Sequence, residues 1–236
     1  LAYAYTEATD ANPMTSSVAY SNFINVAVAD VNAPQAATSD YEIPHRFTMK
    51  FGYTTELFDG YNTSFNLYAT ASDGKPYSAT FSESGGDLFG FDSSSTRGLV
   101  YIPEVNDAGV VYGSGFDQAA FDDFIAAEGL TRGAILGRNS FNAEWWSKVD
   151  IRISQQLPGF VEGHKASAFL VIENFTNMLN DDWGVLRQGS FVGEQIVNAH
   201  INDAGQYVYE SFNAPETSYV RGPSLWEVRV GVKYSF

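Results

Sequence analysis

Strict alternation of apolar and polar residues marks the segment 226–236, Trp226-Glu227-Val228-Arg229-Val230-Gly231-Val232-Lys233-Tyr234-Ser235-Phe236. Every even position carries an apolar or aromatic side chain, and no odd position carries a large hydrophobic one. Because successive side chains of a β-strand point to opposite faces, this period of two predicts a strand with one apolar and one polar face.

The same alternation recurs in five further segments, at residues 46–54, 64–71, 148–154, 165–174 and 1–6. Segment 165–174 is the least regular, because Phe169 and Val171 fall on the face opposite Ala168 and Leu170. Either this strand packs against something on its polar side or its phase is misread. The sequence therefore predicts six strands.

Short and long connections alternate between these strands. Residues 58–61 and 158–163 read as tight turns, whereas the other connections are long. Within the long ones we expect short helices at residues 16–26 and 116–130 and a hairpin turn at Asp73-Gly74. This rhythm is typical of an outer-membrane β-barrel, but the smallest such barrels have about eight strands. We therefore expect further strands outside this sequence.

Composition excludes several classes of protein. The chain of 236 residues is 44% hydrophobic and 15% aromatic, which favours strands and argues against a disordered acidic segment. It has no cysteine, which excludes a disulfide scaffold and a zinc ribbon. Its net charge of −15 repels phosphates, so nucleic acid is not an expected partner.

Catalytic patterns are weak. His45, His164 and His200 are far apart, and none has a second histidine at i+2 to i+4. Phosphate-loop spacing is also missing around Gly74-Lys75. We predict no catalytic residues, no bound cofactor and no enzyme activity.

Several segments together resemble the C-terminal barrel region of Oar-like TonB-dependent outer-membrane receptors. They follow the order of that family at residues 41–47, 61–67, 74–81, 101–103, 137–139, 150–159, 173–180, 183–184 and 234–236. The resemblance implies a transmembrane antiparallel β-barrel of 22 strands with long extracellular loops, of which residues 1–236 form the C-terminal six strands. The plug domain and the N-terminal strands are expected outside this sequence.

The resemblance also implies a function and partners. The family carries out active transport of scarce solutes across the outer membrane of Gram-negative bacteria, here of an unidentified solute. Its partners are the TonB energy-transducing complex, which acts through the plug, the barrel-assembly machinery, the lipid bilayer and lipopolysaccharide.

Two groups of side chains carry specific expectations. Val232, Tyr234 and Phe236 resemble the C-terminal signal that the barrel-assembly machinery reads, although aromatic rings also suit a membrane interface. Charges on the polar faces must avoid hydrocarbon, so we expect them to face the lumen, where they pair across strands or contact the plug. Direct contact with a substrate is the alternative that we favour less. These charges are Arg46, Lys50, Asp150, Arg152, Glu227, Arg229 and Lys233.

Acidic and aromatic residues concentrate in the expected loops. A calcium or magnesium ion, held by the loops or bridging to lipopolysaccharide, is one interpretation of the acidity; a solvated surface is the other. These acids include Asp10, Asp30, Asp40, Glu83, Asp87, Asp92, Asp107, Asp117, Asp122, Asp123, Glu128, Asp181, Asp182 and Asp203. The loop aromatics that could contact a ligand are Phe89, Phe91, Tyr101, Tyr112 and Trp183.

Two other functions fit the same patterns. A secreted acidic β-sandwich that binds a glycan or acts as an adhesin would bury its apolar strand faces in a dry core. A small passive porin would recruit segments 74–83, 101–112 and 190–212 as wall strands and pair its first strand with its last.

Overall fold

The computed structural model describes residues 1–83 and 97–236. Strands make up 45% of the chain and helices 11%. The all-β class expected from the sequence is therefore confirmed. No helix in the described ranges is long and apolar enough to cross a membrane.

The described residues form eighteen strands and four short helices. In chain order the strands are β1 (Ala2–Tyr5), β2 (Thr9–Asp10), β3 (Ala37–Thr38), β4 (His45–Phe58), β5 (Tyr61–Ser72), β6 (Pro76–Tyr77), β7 (Ala79–Glu83), β8 (Tyr101–Ile102), β9 (Val110–Tyr112), β10 (Ala134–Ile135), β11 (Phe141–Asn142), β12 (Trp146–Pro158), β13 (Lys165–Glu173), β14 (Arg187–Gln188), β15 (Glu194–Ile201), β16 (Tyr207–Phe212), β17 (Ser218–Tyr219) and β18 (Glu227–Ser235). The helices are α1 (Ala19–Ile24), α2 (Gln118–Ala127), α3 (Phe175–Leu179) and α4 (Arg221–Ser224).

Six strands form one antiparallel sheet in the order β1-β4-β5-β12-β13-β18. These are the six strands that the alternation predicts. The turns between β4 and β5 and between β12 and β13 are short, as expected, and Gly60 in the first turn has a φ of +77° that suits glycine. β4 is longer than predicted, since its 14 residues reach Phe58.

This six-stranded sheet is open within the described structure. β1 pairs only with β4, and β18 pairs only with β13. Segments 74–83, 101–112 and 190–212 contribute to smaller sheets, including a four-stranded one in the order β7-β15-β16-β9. Both features count against a small porin that closes within this chain.

The described parts of the three long connections fold together beyond one end of the sheet, and we call this module (residues 6–44, 73–83, 97–145 and 174–226) the cap. In an up-and-down sheet alternate connections lie at the same end, so these three emerge side by side. Parallel pairing of β7 with β15 and of β9 with β16 joins the second connection to the third. A bridge between Val28 and Gly98 joins the first to the second.

The buried hydrophobic core lies in the cap. Its fully buried members include Phe81, Val100, Ile102, Phe121 and Tyr209. Among the described residues, no strand of the six-stranded sheet contributes an apolar side chain to this core. The chain therefore separates into a cap with a dry interior and a sheet without one.

Local predictions within the cap had mixed outcomes. Both expected helices form, as α1 and α2, and the carboxylate of Asp117 caps α2 by accepting from the backbone N–H of Ala120 at 3.0 Å. The predicted hairpin turn at Asp73-Gly74 is wrong. β6 pairs with β11 instead, and Gly74 lies so close to the Ala143 carbonyl that a side chain would overlap it.

Candidate functional site

Cross-strand pairing assembles the apolar positions of all six strands into one continuous face, which we call the apolar face. Directly paired residues lie on the same side of a sheet. One such row contains Phe51, Leu67, Ile151, Ile172 and Val228. On the first strand, Tyr3 pairs with Phe47 and extends the face to β1.

The apolar face is uncharged and uncovered. The paired registers place no Asp, Glu, Lys or Arg on it. Its side chains are exposed along the outer strands, with 60% of Phe51, 77% of Val230 and 72% of Val232 accessible. A β-sandwich would cover them with a second sheet, and no such layer exists within the described residues.

Aromatic side chains border the apolar face at both ends. Near the cap, Trp145 and Trp226 are about half exposed, and the ring of Trp145 lies 6.3 Å from that of Phe47. At the opposite end, Phe58 and Phe160 are also exposed. Such aromatic borders suit the two interfaces of a bilayer, where an apolar ring meets polar headgroups.

The opposite side of the sheet, the polar face, gathers positive charge in an acidic chain. It carries seven of the 13 Lys and Arg residues but four of the 28 Asp and Glu residues. The cations are Arg46, Lys50, Lys148, Arg152, Lys165, Arg229 and Lys233, and the acids are Glu56, Asp150, Glu173 and Glu227. All seven charges predicted to share a face therefore do so.

Cross-strand pairing of these charges is partial. Arg229 contacts Glu173 and Glu227, each at 2.6 Å, and Lys148 contacts Asp150 at 3.2 Å. Within the described part of the chain, Arg46, Lys50, Arg152 and Lys233 form no ion pair. Of the seven charges expected to pair across strands, Arg229 does so, with Glu173, whereas Asp150 and Glu227 pair within their own strands. The other four have no such pair within the described residues, and their contact with a plug stays a prediction.

The irregular positions of β13 have a physical explanation. Phe169 pairs with Gly231, and a side chain at Gly231 would overlap the Phe169 ring. The guanidinium of Arg152 lies 4.8 Å from the centre of the same ring. The phase of this strand is thus read correctly, and its polar-side aromatic is held between a glycine and a cation.

The C-terminal segment is hydrogen-bonded to the turn between β12 and β13. Val232 and Tyr234 lie on the apolar face, opposite Ala168 and Ala166, and Phe236 is fully exposed. The Tyr234 hydroxyl accepts from the backbone N–H of Phe160 at 3.2 Å and lies 2.8 Å from Nδ1 of His164.

Acidic residues are numerous in the cap, but those in the described ranges do not form a metal-binding cluster. In residues 1–83 and 97–236 no group of three or more His, Asp or Glu side chains could hold a metal ion. The predicted loop residues Asp87, Asp92, Phe89 and Phe91, and the side chain of Glu83, lie outside the described residues. Both interpretations of the acidity stay predictions.

Asp107 accepts three hydrogen bonds within the cap. Its carboxylate accepts from the Tyr101 hydroxyl at 2.7 Å and from the backbone N–H groups of Gly109 and Glu104. The hydrogen bond from Tyr101, followed by that from Gly109, lowers the pKa of Asp107. The same contact raises the pKa of Tyr101 to about 12. Tyr101 thus serves the cap's structure in this state.

A cleft of about 600 Å³ opens where the cap meets the apolar face, and we call it the tryptophan cleft. Its walls include Trp145 and Trp183, both about half exposed. Glu144 and Arg187, 3.7 Å apart, supply charges. Of these four residues, the sequence predicted only Trp183 as a candidate ligand contact. The alternation of β12 places Trp145 on the same face as Val149, and this pattern could have indicated Trp145 as well.

A second cleft, of about 350 Å³, lies where all three connections meet. Its lining includes Asp40, Lys75, Gln188 and Phe191, the last 68% exposed. Val192 beside it has a φ of +75°, a strained conformation for a β-branched residue. Such strain often occurs at binding sites.

Comparison of the chain with protein-family models, with curated proteins and with solved structures finds no match in any of the three.

Proposed function

We propose that this chain forms part of the wall and the outer loops of a TonB-dependent receptor, an active transporter of the bacterial outer membrane. The observation that carries the proposal is the apolar face, which is continuous over six strands, uncharged and uncovered. Contact of so large an apolar face with water would be unfavourable. The exposed apolar patches of soluble proteins are usually far smaller.

Charge placement supports a lipid environment on one side only. An Arg or Lys at the bilayer midplane costs about 2–4 kcal/mol, and the apolar face has none, whereas the polar face has seven. A wall with hydrocarbon outside and a polar lumen inside explains this segregation. Arg46, Lys50 and Lys233 are then available to a molecule in the lumen, such as a plug.

Strand length and openness support a wall that continues beyond these six strands. β4 and β12 have 14 and 13 residues, enough for a tilted membrane crossing, which needs about 9–11. The unpaired outer edges of β1 and β18 offer backbone groups to further strands. Such groups are costly in hydrocarbon, so a closed barrel must satisfy them.

The cap then faces outward and the short turns face the periplasm. The loops would capture a solute outside, and TonB, acting on a plug domain, would open a path through the lumen. The barrel-assembly machinery would insert the wall, with Val232, Tyr234 and Phe236 as its recognition signal.

Membrane isolation tests this function. The intact protein is expected in the outer-membrane fraction, with a mass several times 25.9 kDa, and with a band that shifts on heating before electrophoresis. It is also expected to bind the periplasmic domain of TonB. Recovery as a water-soluble protein of about 25.9 kDa would overturn the proposal.

A further inference from the structure

The tryptophan cleft is built as a rigid site. Trp183 donates its backbone N–H to the Asn180 carbonyl at 3.0 Å and accepts from the Asn177 side chain at 2.8 Å. The next carbonyl, that of Gly184, accepts from Trp146 Nε1 and from Asn174 Nδ2. The backbone beneath the Trp183 ring is thus fixed, while the ring itself stays half exposed.

Polar groups surround the two rings. Glu144 and Arg187 form an exposed ion pair, and Thr176 and Asp182 also line the cleft. The Asp182 carboxylate forms no ion pair with any residue that the structure describes. Carboxylates accept hydrogen bonds only, so this site suits a ligand rich in hydroxyl donors.

This combination defines the chemistry of the ligand. A sugar ring has an apolar C–H face that packs on an indole ring, and hydroxyls at its edge that donate to carboxylates. A bare phosphate would meet two carboxylates against one guanidinium and be repelled. A cleft of about 600 Å³ has room for a short oligosaccharide.

We infer that the tryptophan cleft binds a saccharide, with Trp183 and Trp145 as stacking platforms and Asp182 and Glu144 as hydroxyl acceptors. The sugar could come from the lipopolysaccharide beside the wall or from a free glycan outside the cell. The first source rests on the proposed function, because it requires the apolar face to lie in the membrane.

Calorimetric titration of the intact protein in detergent tests the inference. One probe is the saccharide part of lipopolysaccharide freed of its acyl chains and phosphates, and the other is a set of neutral, soluble hexasaccharides. Trp183→Ala is expected to weaken binding about tenfold or more, and Asp182→Asn to weaken it in the same direction, while Trp183→Phe retains part of it. Trp226→Ala is the matched control, since Trp226 is equally exposed near the same border but does not line the cleft.

The outcomes separate clearly. Binding of either probe that depends on Trp183 and not on Trp226 supports the inference, and the probe that binds identifies the source. Failure of both probes to bind, or equal loss in the control, overturns it. Equal midpoints of thermal unfolding, read by circular dichroism, show that all variants fold. The titration needs no energy coupling, so its failure is distinct from failure of the transport proposal.

Discussion

Phe51 lies near the middle of β4, with 60% of its side chain exposed on the apolar face. If that face contacts hydrocarbon, Phe51→Lys should destabilise the reconstituted protein by about 2–4 kcal/mol. Urea unfolding in lipid vesicles measures the change. Thr48→Lys, on the polar face of the same strand, is the control and should cost far less. Equal effects at both positions would contradict lipid contact.

Asp107 gives the cap a predictable dependence on pH. Its folded pKa is lower than its unfolded pKa, so the stabilisation is complete above the ordinary value, near 4. It is lost as pH falls through the lower folded value. The protection factors of the cap amides, which are exchange rates corrected for the intrinsic rate at each pH, should therefore fall on acidification, and Asp107→Asn should flatten this dependence. An unchanged acid profile in the variant would show that Asp107 does not contribute.

Titration of Tyr101 at alkaline pH tests the same hydrogen bond between Tyr101 and Asp107. Its folded pKa of about 12 exceeds the unfolded value, so the stabilisation is present below about 10 and lost as pH rises through the folded pKa. Burial also raises the pKa of Tyr77, Tyr112 and Tyr209, so the measurement compares the ultraviolet titration of tyrosinate in the unmodified chain and in Asp107→Asn. One group fewer should titrate late in the variant, because Tyr101 then returns toward 10, and identical titration curves would contradict the contact.

Among the elements, the join between β13 and the cap depends on Asn174. This residue is fully buried with a φ of +51° and donates to the carbonyls of Gly184 and Ser224. Asn174→Ala leaves both buried carbonyls without that donor, and we expect a loss of about 1–3 kcal/mol. Thermal unfolding should show it, whereas Asn180→Ala, at a less buried position, should have a smaller effect. A neutral Asn174→Ala would contradict the anchoring role.

The strands themselves were predictable because alternation is a local property. In segment 226–236 the position of a residue along the strand alone determines the face on which its side chain lies. The Phe169 exception needed the partner strand, since only pairing with Gly231 explains a ring on the polar face. The open edges of β1 and β18 also follow from pairing, not from sequence.

The cap could not be predicted in the same way. Parallel pairing of β7 with β15 joins residues more than a hundred positions apart, and nothing local marks it. The tryptophan cleft likewise brings Trp145 to Trp183 from two connections. Short polar segments fit many partners, so the hairpin expected at Asp73-Gly74 was a reasonable local interpretation and a wrong one.

In the whole molecule, two modules follow different physical rules. The cap buries an apolar core such as that around Phe121 and Tyr209, as a water-soluble domain does. The sheet leaves its apolar side chains uncovered and collects cations on its other face. The proposed function places the membrane surface at the junction of the two modules, so that the cap contacts water and the apolar face contacts lipid.

Lipid contact at alternating positions of β18 tests this account most directly. The chain contains no cysteine, so single cysteines at Val228, Val230, Val232, Arg229 and Lys233 can each carry one bimane label. In vesicles of brominated lipid we predict strong quenching at Val228, Val230 and Val232 and weak quenching at Arg229 and Lys233. Uniform quenching, or the reverse pattern, would contradict the assignment of the apolar face to the membrane.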